Sequence, residues 1–366
     1  PANRRQPKPR KHSPPAPAAA RTRAHQRSTA RLRAIMKFTL ATSCAAFVFL
    51  SACTTVPPPP APTAPVAAEF WIDLARGGDA SDREVLTDLA TAGAIFVGEA
   101  HSIQRHHDVQ LWLLQELFVR GVPLVLCLEQ LEARDQPAVD RYNRRELDFD
   151  ALVREIDWPN KWSNHGDYRL LCEFARQHRI PIRALNAPAG IIRAVSRGGG
   201  LARLAPDVRG QLPAEIAADD PDYERLTNVE LATHMQVEPA RLRPLFEAQV
   251  ARDETMAANI VAARRIDTAP EKLRTAFVIV GAGHVRFGFG TAGRVLRRDP
   301  GTVGRLVIFA EVDSLKLADG QKAPARAATI SHAELRAIGR PPADYVRVLP
   351  RAASARLPPG HPPIPP

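Results

Sequence analysis

Apolar residues gather in five short, largely unbroken runs: Ala94–Val97, Leu124–Leu128, Ile182–Leu185, Phe277–Val280 and Leu306–Phe309. Runs of four or five residues with little polar alternation suit strands buried on both faces. Between them the apolar positions fall at helical spacing over Gln104–Val119, Tyr168–His178 and Arg241–Arg265. This alternation predicts an α/β domain with a mainly parallel sheet flanked by helices. Ala187–Pro239, interrupted at Gly198–Gly200, reads as a helical insertion or lid between strands.

The pattern is confined to residues 69–345, the expected α/β domain. Residues 1–35 are rich in Arg, Pro and Ala and show no periodicity, so they read as disordered or as lying upstream of a true start at Met36. From Met36 a single Lys precedes the apolar stretch Phe38–Leu50, too short for a comfortable membrane span. The stretch ends in Leu50-Ser51-Ala52-Cys53, which resembles a bacterial lipobox and makes 36–53 a lipoprotein signal peptide with Cys53 as the lipidated residue. Thr54 follows where an Asp would retain the protein at the inner membrane, so the expected place is the cell envelope, at the outer membrane and facing the periplasm or the surface. Residues 54–68 form a proline-rich linker and 346–366 a proline-rich tail.

Charge changes one conclusion. The net formal charge of +11 suggests an anionic partner. Eleven of the 50 basic residues, however, lie between Arg4 and Lys37, and the remaining 39 match the 39 acidic residues that begin at Glu69. The folded part is neutral, and nucleic acid is not an expected partner.

Candidate chemistry sits just past the strands. After the first run come Gly98, Glu99 and His101; after the second, Glu129; after the third, Asn186; after the fourth, Gly281, Gly283 and His284; after the fifth, Glu311. Parallel strands present such residues along one edge, where they can line one crevice. The spacing Gly-x-x-His occurs twice, at Gly98–His101 and Gly281–His284. On the helix after the first strand, His107 and Gln110 share a face with Leu111 and Leu114. His107 is expected to be neutral there because the helix N-terminus disfavours its charged form. His106 lies on another face and is expected to be solvated.

Several chemistries lack their signatures. No Cys-x-x-Cys occurs among Cys44, Cys53, Cys127 and Cys172, so neither a thiolate zinc site nor a redox dithiol is indicated. Cys127 reads as buried, and a Cys127–Cys172 disulfide is left open. Gly281–Gly288 carries Arg286 at the third glycine position of a dinucleotide loop, and there is no Walker, His-Glu-x-x-His or Gly-x-Ser-x-Gly pattern. Met256, on the helical stretch ARDETMAANI, reads as core.

A second dense patch, Asp157–Tyr168 (DWPNKWSNHGDY), holds two tryptophans, a histidine and a tyrosine, a composition that suits either a flat ligand or an ordinary aromatic core. Taken in order, GEAHSIQRHHDVQ, WSNHGDYRLLCEFAR, IRALNAP, RDETMAANI and VIVGAGHVRFGFG resemble the ChaN-type haem-binding lipoproteins over roughly Val85–Glu311. That family shares a superfamily with Tiki and TraB proteins and the erythromycin esterases. The resemblance implies a lipid-anchored protein of haem and iron uptake, with haem or a related tetrapyrrole as ligand, tyrosine ligation and a face-to-face haem pair within a homodimer. Carried onto this chain, the haem ligand is expected at Tyr168 or His165. The wider superfamily implies instead a hydrolase built on Glu99, His101, Glu129 and His284, with a divalent metal on Glu99, His101 and His284. Ser102 stands where family members often carry Asp, which weakens the metal reading. The two readings are expected to use different places: the aromatic patch for haem, the strand ends for hydrolysis.

Overall fold

The computed structural model describes residues 69–234, 237–266, 272–312 and 339–350. Its centre is an eight-stranded sheet of β1 (Phe70–Asp73), β2 (Gly78–Ala80), β3 (Ala94–Glu99), β4 (Leu124–Glu132), β5 (Ile182–Asn186), β6 (Thr275–Gly281), β7 (Gly304–Val312) and β8 (Tyr345–Pro350). The order is β2-β1-β8-β7-β3-β6-β4-β5. The strands from β8 to β5 run parallel, while β1 pairs antiparallel with both β2 and β8. The expected parallel α/β sheet is thus present, with three strands that the apolar runs did not reveal. One boundary is corrected: the tail expected from residue 346 begins later, because Val346, Val348 and Leu349 are buried in β8 against β7. The expectations for Met36, Cys53 and the 54–68 linker concern residues outside those described.

The alternation of side chains along each strand divides the core in two. On one face Ile95, Val97, Leu126, Leu128 and Ile279 pack under α1 (Asp82–Leu89), α2 (Gln104–Val119), α3 (Gln136–Asn143), α4 (Phe149–Glu155), α5 (Trp158–Lys161) and α6 (Arg169–Gln177). On the other, Ala94, Phe96, Val125, Cys127, Val278 and Val280 pack under the later helices. The helices of that layer are α10 (Pro239–Ala263) and α11 (Gly290–Arg298), while α7 (Ala189–Gly198) and α9 (Pro221–His234) pack on α10 and α8 (Pro206–Arg209) lies between those two in the chain. Met256 is buried core, as expected. The segment expected as a helical insertion contains α7, α8 and α9. Cys127 and Cys172 are free buried thiols belonging to opposite core layers, so the sheet separates them. Burial pushes both thiols up to about 12.

The topology fixes where a site can form. From β3 the chain passes through α2 to β4 on one side, and from the neighbouring β6 it passes through α11 to β7 on the other. Adjacent parallel strands whose connections leave in opposite directions open a crevice at their carboxyl ends. Glu99 and Gly281, in register across β3 and β6, stand at that point.

Candidate functional site

The two strand-end carboxylates face opposite sides of the sheet because they differ in parity along their strands. Glu99 follows Ile95 and Val97 onto the α2 face, and Glu129 follows Val125 and Cys127 onto the α10 face. Each has assembled its own polar cluster.

Glu99 is buried and fully engaged. Its Oε1 accepts from His101 Nδ1 at 2.7 Å, Gln130 Nε2 at 3.0 Å and the Tyr168 hydroxyl at 2.5 Å. Its Oε2 accepts from Gln110 Nε2 at 2.5 Å and lies 3.4 Å from His107 Nδ1. Burial alone would raise its pKa, but the bonds and charges of His101 and His107 hold it well below the usual carboxylate range. The same contact overturns the expectation of a neutral His107. Burial opposes its charge, yet Nδ1 faces Glu99 and the Gln110 Oε1, and Nε2 faces the His101 carbonyl at 3.1 Å, so its pKa is raised. Acceptors at both ring nitrogens outweigh the helix dipole.

His106, expected to be solvated, is 4 % exposed and stacks on Phe309 with ring centroids 4.3 Å apart. Its Nδ1 accepts the Ala100 N–H at 3.0 Å, and burial lowers its pKa to about 3. It is a neutral, structural ring.

The second cluster centres on His284. Its Nδ1 donates to Asp253 Oδ1 at 2.6 Å, and its Nε2 lies 3.3 Å from Glu129 Oε1. Asp253 also accepts from Tyr223 at 2.7 Å and Thr291 at 2.8 Å, while Glu129 accepts the Gly281 N–H at 2.6 Å. Burial opposes the charge on His284, but the two carboxylates overcome it and raise its pKa to about 10. A histidine held protonated at neutral pH does not serve as a general base. Hydrolysis through the four strand-end residues is therefore not the chemistry this geometry favours.

His101 joins the clusters. Its side chain is 36 % exposed, Nδ1 is held by Glu99, and Nε2 lies against Gly281, where a Cβ would come within 2.8 Å of it and within 3.5 Å of Glu129 Oε2. Glycine at 281 leaves the room both side chains occupy. Gly283 passes close to α9, since a Cβ there would meet Glu230 at 3.1 Å. Asn186, at the end of β5, is buried opposite Glu132, and no hydrogen bond joins it to either cluster.

The expected divalent metal has no support. Among the described residues no group of three or more His, Cys, Asp or Glu side chains is placed to hold one. Glu99, His101 and His284 direct their polar atoms at one another's partners, leaving no shared set of lone pairs.

The aromatic segment is not a separate place. Trp158 donates to the Gln130 carbonyl at 2.8 Å, Asn164 to the His101 carbonyl at 2.5 Å, and Trp162 lies edge-on to His101 at 4.8 Å. Tyr168 is 0 % exposed. Burial and the Glu99 charge push its pKa far up, so its oxygen is a protonated donor held on Glu99. This departs from the expectation that Tyr168 meets haem iron. His165 differs: it is partly exposed, its Nδ1 faces the Trp162 carbonyl at 3.3 Å, and its Nε2 has no hydrogen-bond partner among the described residues. A carbonyl at Nδ1 favours the tautomer whose Nε2 carries a free lone pair, the arrangement an axial imidazole needs. Leu170, in the first turn of α6, is 59 % exposed.

Sequence reasoning missed Asp253, Gln130, Tyr223 and Thr291 as site residues. Asp253 lay inside the quoted ARDETMAANI segment, and Gln130 directly follows Glu129. Tyr223 and Thr291 carry no local signal.

The family model described as "Haem-binding uptake, Tiki superfamily, ChaN" matches residues 85–295, more than half of the 366-residue chain. The chain belongs to the ChaN family. A solved structure described as cofacial haem binding to ChaN of Campylobacter jejuni is 16 % identical, with a TM-score of 0.55 over 76 % of this chain and 96 % of that one. At that identity the likeness shows the ChaN fold. An erythromycin esterase mutant in its open conformation is 13 % identical over 76 % of this chain and 97 % of that one, and its TM-score of 0.39 carries no argument. Among curated proteins none matches.

Proposed function

We propose that this chain binds haem or a closely related tetrapyrrole at the surface beside His165, as a lipid-anchored protein of the cell envelope that serves haem or iron uptake. The observation that carries the reading is family membership across 85–295. The partly exposed His165, with its Nε2 unused among the described residues, gives that membership a donor. When bound, haem would supply an iron that takes such a nitrogen donor. His165 would hold the iron, while the partly exposed Trp162, whose carbonyl faces the His165 Nδ1, offers apolar surface beside it. Glu99, Tyr168 and His101 brace the segment from beneath: Tyr168 is pinned to Glu99, and Asn164 to the His101 carbonyl. Anchoring at Cys53 follows from the lipobox, and no helix among the described residues is long and apolar enough to cross a membrane. Pairing of two copies around two haems completes the proposal.

Haemin titration of the full chain, followed by absorbance and size-exclusion chromatography, tests it. The expected result is a saturable shift of the haem band with an increase in oligomer size, and an altered spectrum in His165→Ala. No saturable shift in the unaltered chain would refute haem binding. A normal shift that His165→Ala leaves unchanged would refute the ligand assignment alone.

A further inference from the structure

Far from the strand-end crevice, at the amino-terminal end of β5, lies a cleft of about 660 Å³. Its walls carry Arg144, Arg145, Arg176, Arg179 and Arg183 with a single carboxylate, Asp140. Two of the guanidinium groups have a structural use. Arg145 donates to the Gln177 carbonyl at 3.1 Å and Arg176 to the Tyr142 carbonyl at 3.3 Å, so each helps to cap the other's helix, where cations are favoured. Arg144 pairs with exposed Glu146 at 2.7 Å, and Arg183 reaches Asp140 at 3.4 Å. Arg179 makes no side-chain hydrogen bond or ion pair with a described residue. Each guanidinium carries five N–H donors, and most of them remain unused here.

The backbone adds an independent observation. Arg145 and Arg179 have φ of 65° and 57°, each just beyond the end of a helix. The turns close through Glu146 N–H to the Arg141 carbonyl at 2.9 Å and Ile180 N–H to the Ala175 carbonyl at 2.8 Å. Glycine is the residue that such helix ends favour, because a side chain there is strained. The chain carries arginine at both. Capping accounts for Arg145; nothing in the fold accounts for Arg179.

We propose that this cleft binds a phosphate-bearing anion of at least two negative charges, gripped by the forks of Arg179 and Arg183 with Arg144 and Arg145 beside them. Planar guanidinium forks match phosphate oxygens two at a time. The volume suits a small ligand or head group. The few apolar contributors, Ile180, Pro181 and Ile266, offer too little surface for a flat macrocycle, so this is a second site and not an extension of the haem surface. The phosphates can come from a free diphosphate-type molecule or from acidic phospholipid head groups.

The test uses the full chain in two arms. Pyrophosphate is titrated by calorimetry at low and at raised salt, and flotation is compared on phosphatidylcholine vesicles with and without phosphatidic acid. Arg179→Gly is the decisive variant, since it removes the fork and relieves the positive φ together. We expect saturable, salt-sensitive binding in at least one arm, weakened tenfold or more in Arg179→Gly, whose melting temperature is not lowered. Any lipid anchor contributes equally to both proteins in flotation. Binding only to acidic vesicles identifies the head group as the source, and binding to pyrophosphate identifies a free anion. Arg183→Gln, which leaves the backbone alone, is expected to weaken binding similarly. Absence of binding in both arms, or unchanged binding in both variants, overturns the proposal.

Discussion

Tyr168→Phe separates a buried brace from an iron ligand. The substitution removes one oxygen, which donates a 2.5 Å hydrogen bond to the Glu99 carboxylate in a site from which water is excluded. A hydrogen bond to a charged group contributes about 1.5–3 kcal/mol, and the larger part applies where the acceptor cannot turn to water. Glu99 keeps His101, Gln130 and Gln110 as donors, so its charge is not abandoned, and a loss of about 2 kcal/mol is expected. For a domain of this size that lowers the melting temperature by roughly 4–8 °C.

The ring contacts survive, since Phe retains the edge-on packing against His107 at 4.7 Å. The haem spectrum is expected to stay as it is, because the oxygen that is lost does not reach the surface. Calorimetric melting and haemin titration on the same samples check both halves. A changed haem spectrum with an unchanged melting temperature would refute the reasoning: it would mean that Tyr168 leaves Glu99 and ligates the iron.

Two further predictions concern the second cluster and its link to the first. His284, with a folded pKa of about 10 against an ordinary 6.5, contributes stability in full below about pH 6.5. That contribution, a few kcal/mol on the order-of-magnitude scale of such shifts, declines as pH rises and is gone above about pH 10. Urea midpoints should fall between pH 7 and 10 in the unaltered chain and much less in His284→Gln; equal slopes would contradict the buried imidazolium. Gly281→Ala places a Cβ 2.8 Å from His101 Nε2 and 3.0 Å from its Cε1. The partly exposed ring must swing away and give up its bond to Glu99, so its raised pKa should drop toward the ordinary value. An NMR titration of the His101 Cε1 proton reads this directly, and an unmoved titration would show that the crevice tolerates the methyl.

The central strands were legible because a strand buried on both faces leaves an apolar run with a sharp end. The three missed strands lack that signature. Along β8, Arg347 interrupts the buried Val346 and Val348, and the strand merges into a proline-rich stretch. Along β1, only Trp71 and Asp73 of its four residues are buried. The end of β4 was misread for a more instructive reason. Glu129 was read as lying just past the strand because it is polar, yet it and Gln130 both lie inside it, each bonded to a cluster on its own side of the sheet. Polar residues in a buried strand are invisible to an apolar pattern unless their partners are known in advance, and those partners, Glu99 for Gln130 and Gly281 and His284 for Glu129, are scattered over more than 180 residues.

That scatter also explains why the sequence divided the site wrongly. The aromatic segment and the strand ends were expected to serve rival functions, but Tyr168, Trp158 and Asn164 bond directly to Glu99, Gln130 and the His101 backbone. A carboxylate with every lone pair taken and a histidine locked between two carboxylates have little freedom to exchange protons or ligands. Such a network is suited to rigidity: it fixes the orientation of the short helical turn from His165 to Tyr168 against the sheet. Reactive freedom is left at the margin, where His101 and His165 reach the surface. A binding surface supported by a buried polar network accommodates the family's ligand chemistry better than a hydrolytic centre does, because hydrolysis needs a base that can accept a proton at neutral pH and His284, enclosed between Glu129 and Asp253, already holds one.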